Sequence, residues 1–249
     1  MLVTGNKRFT SQVTGRPQGQ AWHVQELSIR IYSDGFSFST LQSEKEVTVG
    51  PGESLCATLD RAFQKNALLR PDYDEVNIYA DYPSTRIPLD EFRSEEAQAL
   101  YRLTFGDDSL QGMNIHYEML PALEVIEVFA VDKELEQLIL SHYPHATIHS
   151  FFGQLLNRML AHDKRSTDPG RRLYVHNNGR QLFIFSYAEG RLQFANSFEA
   201  HLDSDRLYFL LYVWKQLGLS QTEDTCLLVG KDKALEKGVK RYLKHVVTV

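Results

Sequence analysis

The feature that most limits what this chain can fold into is a pattern that occurs twice. Residues 27–79 read strand, strand, strand, helix, strand, and residues 173–229 read the same way about 146 positions later. In the first copy Leu27, Ile29 and Ile31 alternate with Ser28, Arg30 and Tyr32. Asp34-Gly35 supplies a turn, and Phe36, Phe38 and Thr40 alternate on the return. Alternation on both sides of Asp-Gly is a strong short-range hairpin signal. E-K-E-V-T-V reads as a third strand. Ser54 then caps a helix running to Leu69, with Leu55, Leu59, Ala62 and Phe63 on one face. Glu75 to Tyr79 reads as a buried strand.

In the second copy, R-L-Y-V-H-N-N-G-R-Q-L-F-I-F-S-Y turns at Asn178-Gly179, a good type I′ pair, and the next hairpin turns at Glu189-Gly190. Ser204 caps a long helix that Gly218 ends at C′. T-C-L-L-V-G is a short buried strand, K-A-L-E-K-G-V-K-R-Y-L a helix and H-V-V-T-V a final strand. A three-strand meander followed by a crossover helix implies a mixed sheet covered by helices. Two copies imply duplication at the scale of a domain.

Residues 82–150 follow a different pattern. T-R-I-P-L is extended, and Ser94 to Phe105 is a helix with a Ser cap and early acids. After a polar loop over Gly106 to Asn114, I-H-Y-E-M-L-P pairs antiparallel with L-E-V-I-E-V-F-A-V. Asp132 caps the helix K-E-L-E-Q-L-I-L-S-H-Y, A-T-I-H-S-F is a strand, and G-Q-L-L-N-R-M-L-A-H is helical. The resulting division has a flexible arm over 1–22, a first half over 23–150 with an inserted subdomain at about 82–146, and a second half over 151–249.

Composition narrows the function classes. A chain of 249 residues holds one large domain or two small ones. Its 27 Lys and Arg stand against 32 Asp and Glu, a formal net charge of −5, which argues against nucleic acid or an anionic membrane as partner. The two cysteines, Cys56 and Cys226, sit in apolar runs without metal-ligand spacing, as buried free thiols of a reducing cytosol would. No segment has signal-peptide character or approaches the roughly 18 apolar residues of a membrane span, so a cytoplasmic protein is expected.

A strand–strand–strand–helix–strand unit repeated in this way resembles the actin-like ATPase fold, an α/β architecture of two ribonuclease-H-like halves. The strand pair, the helix opened by D-K-E-L-E-Q-L and the strand A-T-I-H-S-F are similar in order to the cell-division and pilus-assembly members, in which a subdomain is inserted in the first half. The chain also resembles an uncharacterised bacterial family with this fold and no assigned activity. The resemblance spans residues 26–249 and rests on topology. It implies that three turns would hold ATP and Mg²⁺. Two hairpin turns would offer Asp, Gly and Ser/Thr groups, and a glycine loop would pass against the adenosine.

On those turns the chain departs from the pattern. The first is Ser33-Asp34-Gly35-Phe36-Ser37, with its acid directly before the glycine and Phe36 where a small residue would admit phosphate. The second is His176-Asn177-Asn178-Gly179-Arg180, without carboxylate or hydroxyl. The third, Leu228-Val229-Gly230-Lys231-Asp232, keeps one glycine where two are typical. The expected function is therefore a non-catalytic actin-like binding or assembly module with an unidentified protein partner, no cofactor and no catalytic residue. The alternative is an ATP-binding switch or weak ATPase in which Asp34, Gly35, Ser37, Asn178, Gly179, Gly230 and Lys231 line the cleft around ATP and Mg²⁺.

Other clusters carry weaker chemistry. Asp34 lacks a second carboxylate to hold a metal. His142, His145 and His149 have helical spacing, but Pro144 interrupts it and no cysteine completes a zinc set. Nucleases of the ribonuclease H class gather several acids starting on the first strand, where this chain has Arg30. The basic pairs Lys7-Arg8, Lys164-Arg165, Arg171-Arg172 and Lys240-Arg241 are scattered. The aromatic helix L-Y-F-L-L-Y-V-W is core, with a partner surface on any side left exposed.

Overall fold

A computed structural model of the chain describes residues 25–166, 170–189 and 191–249. The expected arm over 1–22, and the glycine of the Glu189-Gly190 turn, lie outside the described residues. In chain order, β1 (Glu26–Tyr32), β2 (Gly35–Ser39) and β3 (Glu44–Thr48) precede α1 (Leu55–Lys65) and β4 (Glu75–Asp81). An insertion follows, β5 (Ser84–Pro88), α2 (Ala97–Phe105), β6 (Met113–Leu120) and β7 (Val125–Asp132), and then α3 (Lys133–His142), whose buried residues pack on the first large sheet and not on the inserted one. Then come β8 (Thr147–Ser150), α4 (Phe151–Asp163), β9 (Arg172–Asn177), β10 (Gln181–Ala188) and β11 (Arg191–Glu199). The chain ends with α5 (Asp203–Gln216), β12 (Thr225–Val229), α6 (Lys233–Val239) and β13 (His245–Thr248).

The two large sheets share one design. Their orders are β3-β2-β1-β4-β8 and β11-β10-β9-β12-β13. In each, the first three strands are an antiparallel meander and the last two run parallel to its first strand. The inserted strands make a separate antiparallel sheet, β5-β7-β6. This is an α/β protein of two like-ordered halves with a subdomain inserted in the first, the arrangement that the resemblance to the actin-like ATPase fold implies.

Alternation fixes which faces are buried. Leu27, Ile29, Ile31, Phe36 and Phe38 pack on Leu59 and Phe63 of α1 and on Leu135 and Ile139 of α3. On the second sheet Leu173, Val175, Leu182 and Ile184 meet Leu210 and Val213 of α5 and Leu235 of α6. Burying one such side chain contributes about 1.5–3 kcal/mol, and a one-residue slip would lose them together, so the alternation holds the register. Helix α4 covers the opposite face of the second sheet, with Phe151, Phe152, Leu155 and Leu156 against Tyr174, Phe183, Phe185 and Tyr187.

The local expectations divide. Ser54 caps α1, Asp132 caps α3, and Gly218 follows α5 in the left-handed region with φ 59°. Helix α1 stops at Lys65 instead of reaching Leu69, because the Asn66 side chain takes the Leu68 amide at 3.1 Å and turns the chain. Ser94 opens a 3₁₀ turn before α2 and donates to Glu95, so it caps nothing. Helix α5 begins one residue before Ser204, and the Asp205 carboxylate accepts the Leu202 amide at 3.1 Å. Helix α6 ends at Val239, short of Leu243. Cys226 is fully buried, whereas Cys56 is only half-buried.

Both polar hairpins differ from the expected turns. Tyr32 pairs with Gly35, so the first loop is Ser33-Asp34. Gly35 is required by space: a Cβ there would lie 2.4 Å from the Val47 carbonyl oxygen. Phe36 is fully buried opposite Ile31, in the helix-covered core, and does not obstruct the turn region. In the second hairpin Asn177 pairs with Leu182, which leaves a four-residue loop. Gly179 has φ 94° while Asn178 stays out of the left-handed region, so the turn is not type I′.

Candidate functional site between the two halves

In mixed sheets of this kind ligands are met at the carboxyl ends of parallel strands. Here the ends of β1, β4, β9 and β12 converge. Arg180, beyond β9, reaches the first turn and pairs with Asp34 at 2.5 Å, and it also donates to the Ser33 hydroxyl. Asn178 donates to Asp81 at the end of β4, 2.9 Å away. Asn177 donates to Asp232 at 2.6 Å, which ties the second turn to the loop after β12. All three turns proposed from the sequence therefore meet in one place.

The individual candidates have these surroundings. Asp34 is 44% exposed and faces Arg180. Gly35 is buried against β3, and Ser37 lies beside Arg30 in the ladder. Asn178 Oδ1 accepts the amides of Arg180 at 3.0 Å and Gln181 at 2.7 Å. The Gly179 amide goes to Asn177 Oδ1 at 2.9 Å. Gly230 has φ 89°, and its amide goes to the Val249 carbonyl at 3.0 Å. Lys231 is exposed, and the neighbouring Asp232 caps α6 through the Leu235 amide at 2.9 Å. Four backbone amides of these turns are thus already bonded within the protein.

The floor of the site was not evident from the sequence. Arg30 pairs with Asp81 at 2.5 Å, and Asp81 is only 4% exposed. The Arg30 guanidinium lies 3.6 Å over the Phe151 ring, a cation–π contact in a nearly dry setting. His176 donates from Nδ1 to the Val229 carbonyl at 3.2 Å, and its buried Nε2 has no partner. Burial first, then Arg30, push the His176 pKa down to about 4, so the ring is neutral. Arg30 is taken by Asp81 and Arg180 by Asp34, so these two cations are already paired within the protein. Asp81 belongs to no motif. The available signal was Arg30, a charge on the first strand that needed a partner at the end of the adjacent parallel strand.

The remaining candidates go elsewhere. His142 stacks on Phe63 at 4.3 Å, His149 contacts Glu118 at 3.2 Å, and His145 is exposed. Among the described residues no group of three His, Cys, Asp or Glu could hold a metal ion. Arg171 pairs with Asp224 at 2.8 Å, Arg172 with Asp163 at 2.5 Å and Lys240 with Glu236 at 2.5 Å, while Lys7-Arg8 lies outside the described residues. Helix α5 buries Leu210, Val213 and Trp214 and leaves Tyr208 and Tyr212 exposed. Among the described residues no helix is long and apolar enough to cross a membrane.

The fold is similar to solved structures. A Bacteroides thetaiotaomicron protein with actin-like ATPase fold and unknown function is 29% identical, with a TM-score of 0.75 over 91% of each chain. A PilM–PilN type IV pilus biogenesis complex aligns over 91% of this chain and 88% of that one, with a TM-score of 0.50 at 11% identity, which shows likeness of fold alone. No curated protein matches the chain. Residues 20–246 match a family over nearly the whole length of the fold, and the chain belongs to that family, described as protein of unknown function (DUF3822).

Proposed function

We propose that this protein is a non-catalytic member of the actin-like superfamily, a cytoplasmic binding or assembly module whose nucleotide site has degenerated. The halves would be residues 23–150 and 151–249, related by internal duplication, with the insertion, expected at about 82–146, ending before α3, which packs on the first sheet as α6 does on the second. One observation carries the reading: the turns that would hold phosphates hold each other. Arg180 occupies Asp34, and Asn178 occupies Asp81. The turn amides of Gly179, Arg180 and Gln181 are bonded to Asn177 and Asn178. A Mg²⁺-triphosphate would have to displace these contacts, so the residues as arranged do not fit it.

Titration of the full chain with ATP and Mg²⁺ by calorimetry tests this. No saturable heat up to millimolar nucleotide is expected; micromolar affinity with slow hydrolysis would overturn the reading. The second reading, an ATP-binding switch, draws on the exposure of the bridge. Asp34 and Arg180 are 44% and 48% exposed, so that contact can open to water. In that case Asp34, Ser37, Asn178, Gly179, Gly230 and Lys231 would be freed together as the halves separate.

A further inference from the structure

The inserted subdomain presents a groove of about 340 Å³ beside α2. Ile87, Phe92, Leu100 and Leu103 line it, and Arg93 and Glu96 stand at its edge. Leu103 is 86% exposed, which is unusual for a leucine on a helix that otherwise packs Ala97 and Tyr101 into the small sheet. The apolar surface continues past the groove, since Phe92 lies 5.0 Å from Tyr117, itself 49% exposed. An apolar floor of this kind, left open on a folded protein, marks an interaction site.

Charge identifies what fits it. Residues 89–108 hold six acids and two bases, a net of −4 in a chain whose total is −5. Neither base relieves the groove's edge. Arg102 pairs with Asp107 at 3.3 Å, and Arg93 turns back onto the carbonyls of Asp90 and Phe92 at 3.2 and 2.9 Å. Among the described residues Asp90, Glu91, Glu95 and Glu96 have no cation within ion-pair distance. The exposed pair Tyr208 and Tyr212 on α5 lacks such one-sided surroundings, because Arg206 and Asp203 beside it neutralise each other at 2.8 Å.

We propose that this groove docks a short amphipathic segment of a partner protein in which large apolar side chains are flanked by Lys or Arg. The apolar anchors fill the space beside Leu100 and Leu103, and the basic flanks meet the acids at the N-terminal end of α2. This rests on the binding-module reading but uses a different surface. A failed ATP titration and a failed groove test therefore report on separate claims.

The test uses a fluorescein-labelled 14-residue amphipathic Leu/Lys peptide, read by anisotropy against the full chain, and its Leu/Glu counterpart. The Lys peptide is expected to bind, more weakly as salt is raised, and the Glu peptide not to bind. Leu103→Asp and the double variant Glu95→Lys/Glu96→Lys should each weaken binding at least tenfold. Leu41→Asp, at a leucine 84% exposed elsewhere, should leave binding unchanged. All of these positions are exposed, so the variants keep the fold. Equal binding of both peptides, or full binding by Leu103→Asp, would sink the proposal. So would a concentration-dependent dimer of the full chain that Leu103→Asp abolishes, because the groove would then belong to a second copy.

Discussion

Two consecutive residues of α4 anchor two arginines, and the two sites are built differently. Phe151 lies under Arg30 at 3.6 Å and Phe152 under Arg86 at 3.5 Å. Each arginine also holds a buried carboxylate, Asp81 at 2.5 Å and Glu127 at 3.1 Å. Asp81 takes a further donor from Asn178 of the opposite half. Glu127 is wholly buried and takes its further donor from Ser84, 2.6 Å away on the same small sheet. There Arg86 Nε is left without a partner, and the Ser150 hydroxyl stands near the Glu127 carboxylate. Helix α4 thus carries one joint shared between the halves and adjustable, and another closed around the wholly buried Glu127. Burial raises the Glu127 pKa and lowers that of Arg86, which reflects the cost of enclosing a charge pair.

The largest effect should come from breaking the closed joint. Arg86→Ala leaves the wholly buried Glu127 without its cation and with only neutral hydroxyls beside it, and should lower unfolding free energy by about 3–5 kcal/mol in urea melts. Arg30→Ala should cost about 1.5–3 kcal/mol, since Asp81 keeps Asn178. Equal losses for the two variants would erase the distinction between the joints.

His176 supplies the next effect, through pH. Its folded pKa of about 4 lies below the unfolded 6.5, so the native state refuses a proton that the unfolded state takes. Its contribution is complete above pH 6.5 and is lost as pH falls toward 4, a total of roughly 3 kcal/mol. The charges around it are Arg30 and Arg158, which oppose protonation, and Asp81, which favours it. Glu127 acts in the opposite sense: its raised pKa means that it destabilises less as acid protonates it. Comparing His176→Gln with the parent chain over pH 4–7 isolates the histidine. If both lose stability equally across that range, the neutral buried ring is wrong.

These joints also mark where the sequence stopped being informative. Strand order and the two hairpins were legible because period-2 alternation at Leu27, Ile29, Ile31 and Phe36, Phe38 is a local consequence of burial on one face. The convergence of the three turns followed from topology. The partners across the site did not. Arg180 and Asp34 are 146 positions apart, the offset of the repeat, so they lie in equivalent turns, but the repeat does not say that those turns touch; Asn178 and Asp81 are 97 apart and no motif joins them. Turn chemistry misled for a physical reason. Asn178 satisfies two following amides with its side chain, so Asn-Gly here closes a longer loop. Likewise Gly153, the first residue of the helix as read from sequence, gave no signal of its surroundings, yet it lies within α4 where that helix meets the inserted sheet.

Gly153→Ala probes how the inserted sheet is seated on α4, and does so more gently. A Cβ there would stand 2.7 Å from Glu118 Oε1 and 2.9 Å from Leu120 Cδ2. Glu118 cannot easily yield, because it accepts the Ser150 amide at 2.8 Å and contacts His149 at 3.2 Å. Alanine alone would favour the helix by about 1 kcal/mol, but overpacking costs about 1–3 kcal/mol. A net loss of stability is expected, and a gain would mean that the inserted sheet is not seated firmly on α4.

The smallest effect on stability should come from the outermost contact of the adjustable joint. Arg180 and Asp34 are each about half exposed, and such pairs contribute about 0–1 kcal/mol. Arg180→Ala should therefore shift the urea midpoint little, and less still in high salt. A double-mutant cycle with Asp34→Ala separates the pair from the arginine's other contact, the Ser33 hydroxyl. Coupling below about 1 kcal/mol, falling as salt rises, fits a contact that water reaches and that thermal motion can open. Coupling of about 3 kcal/mol or more would put this bridge in the same range as the buried pair around Glu127, and the two joints of α4 would then be alike.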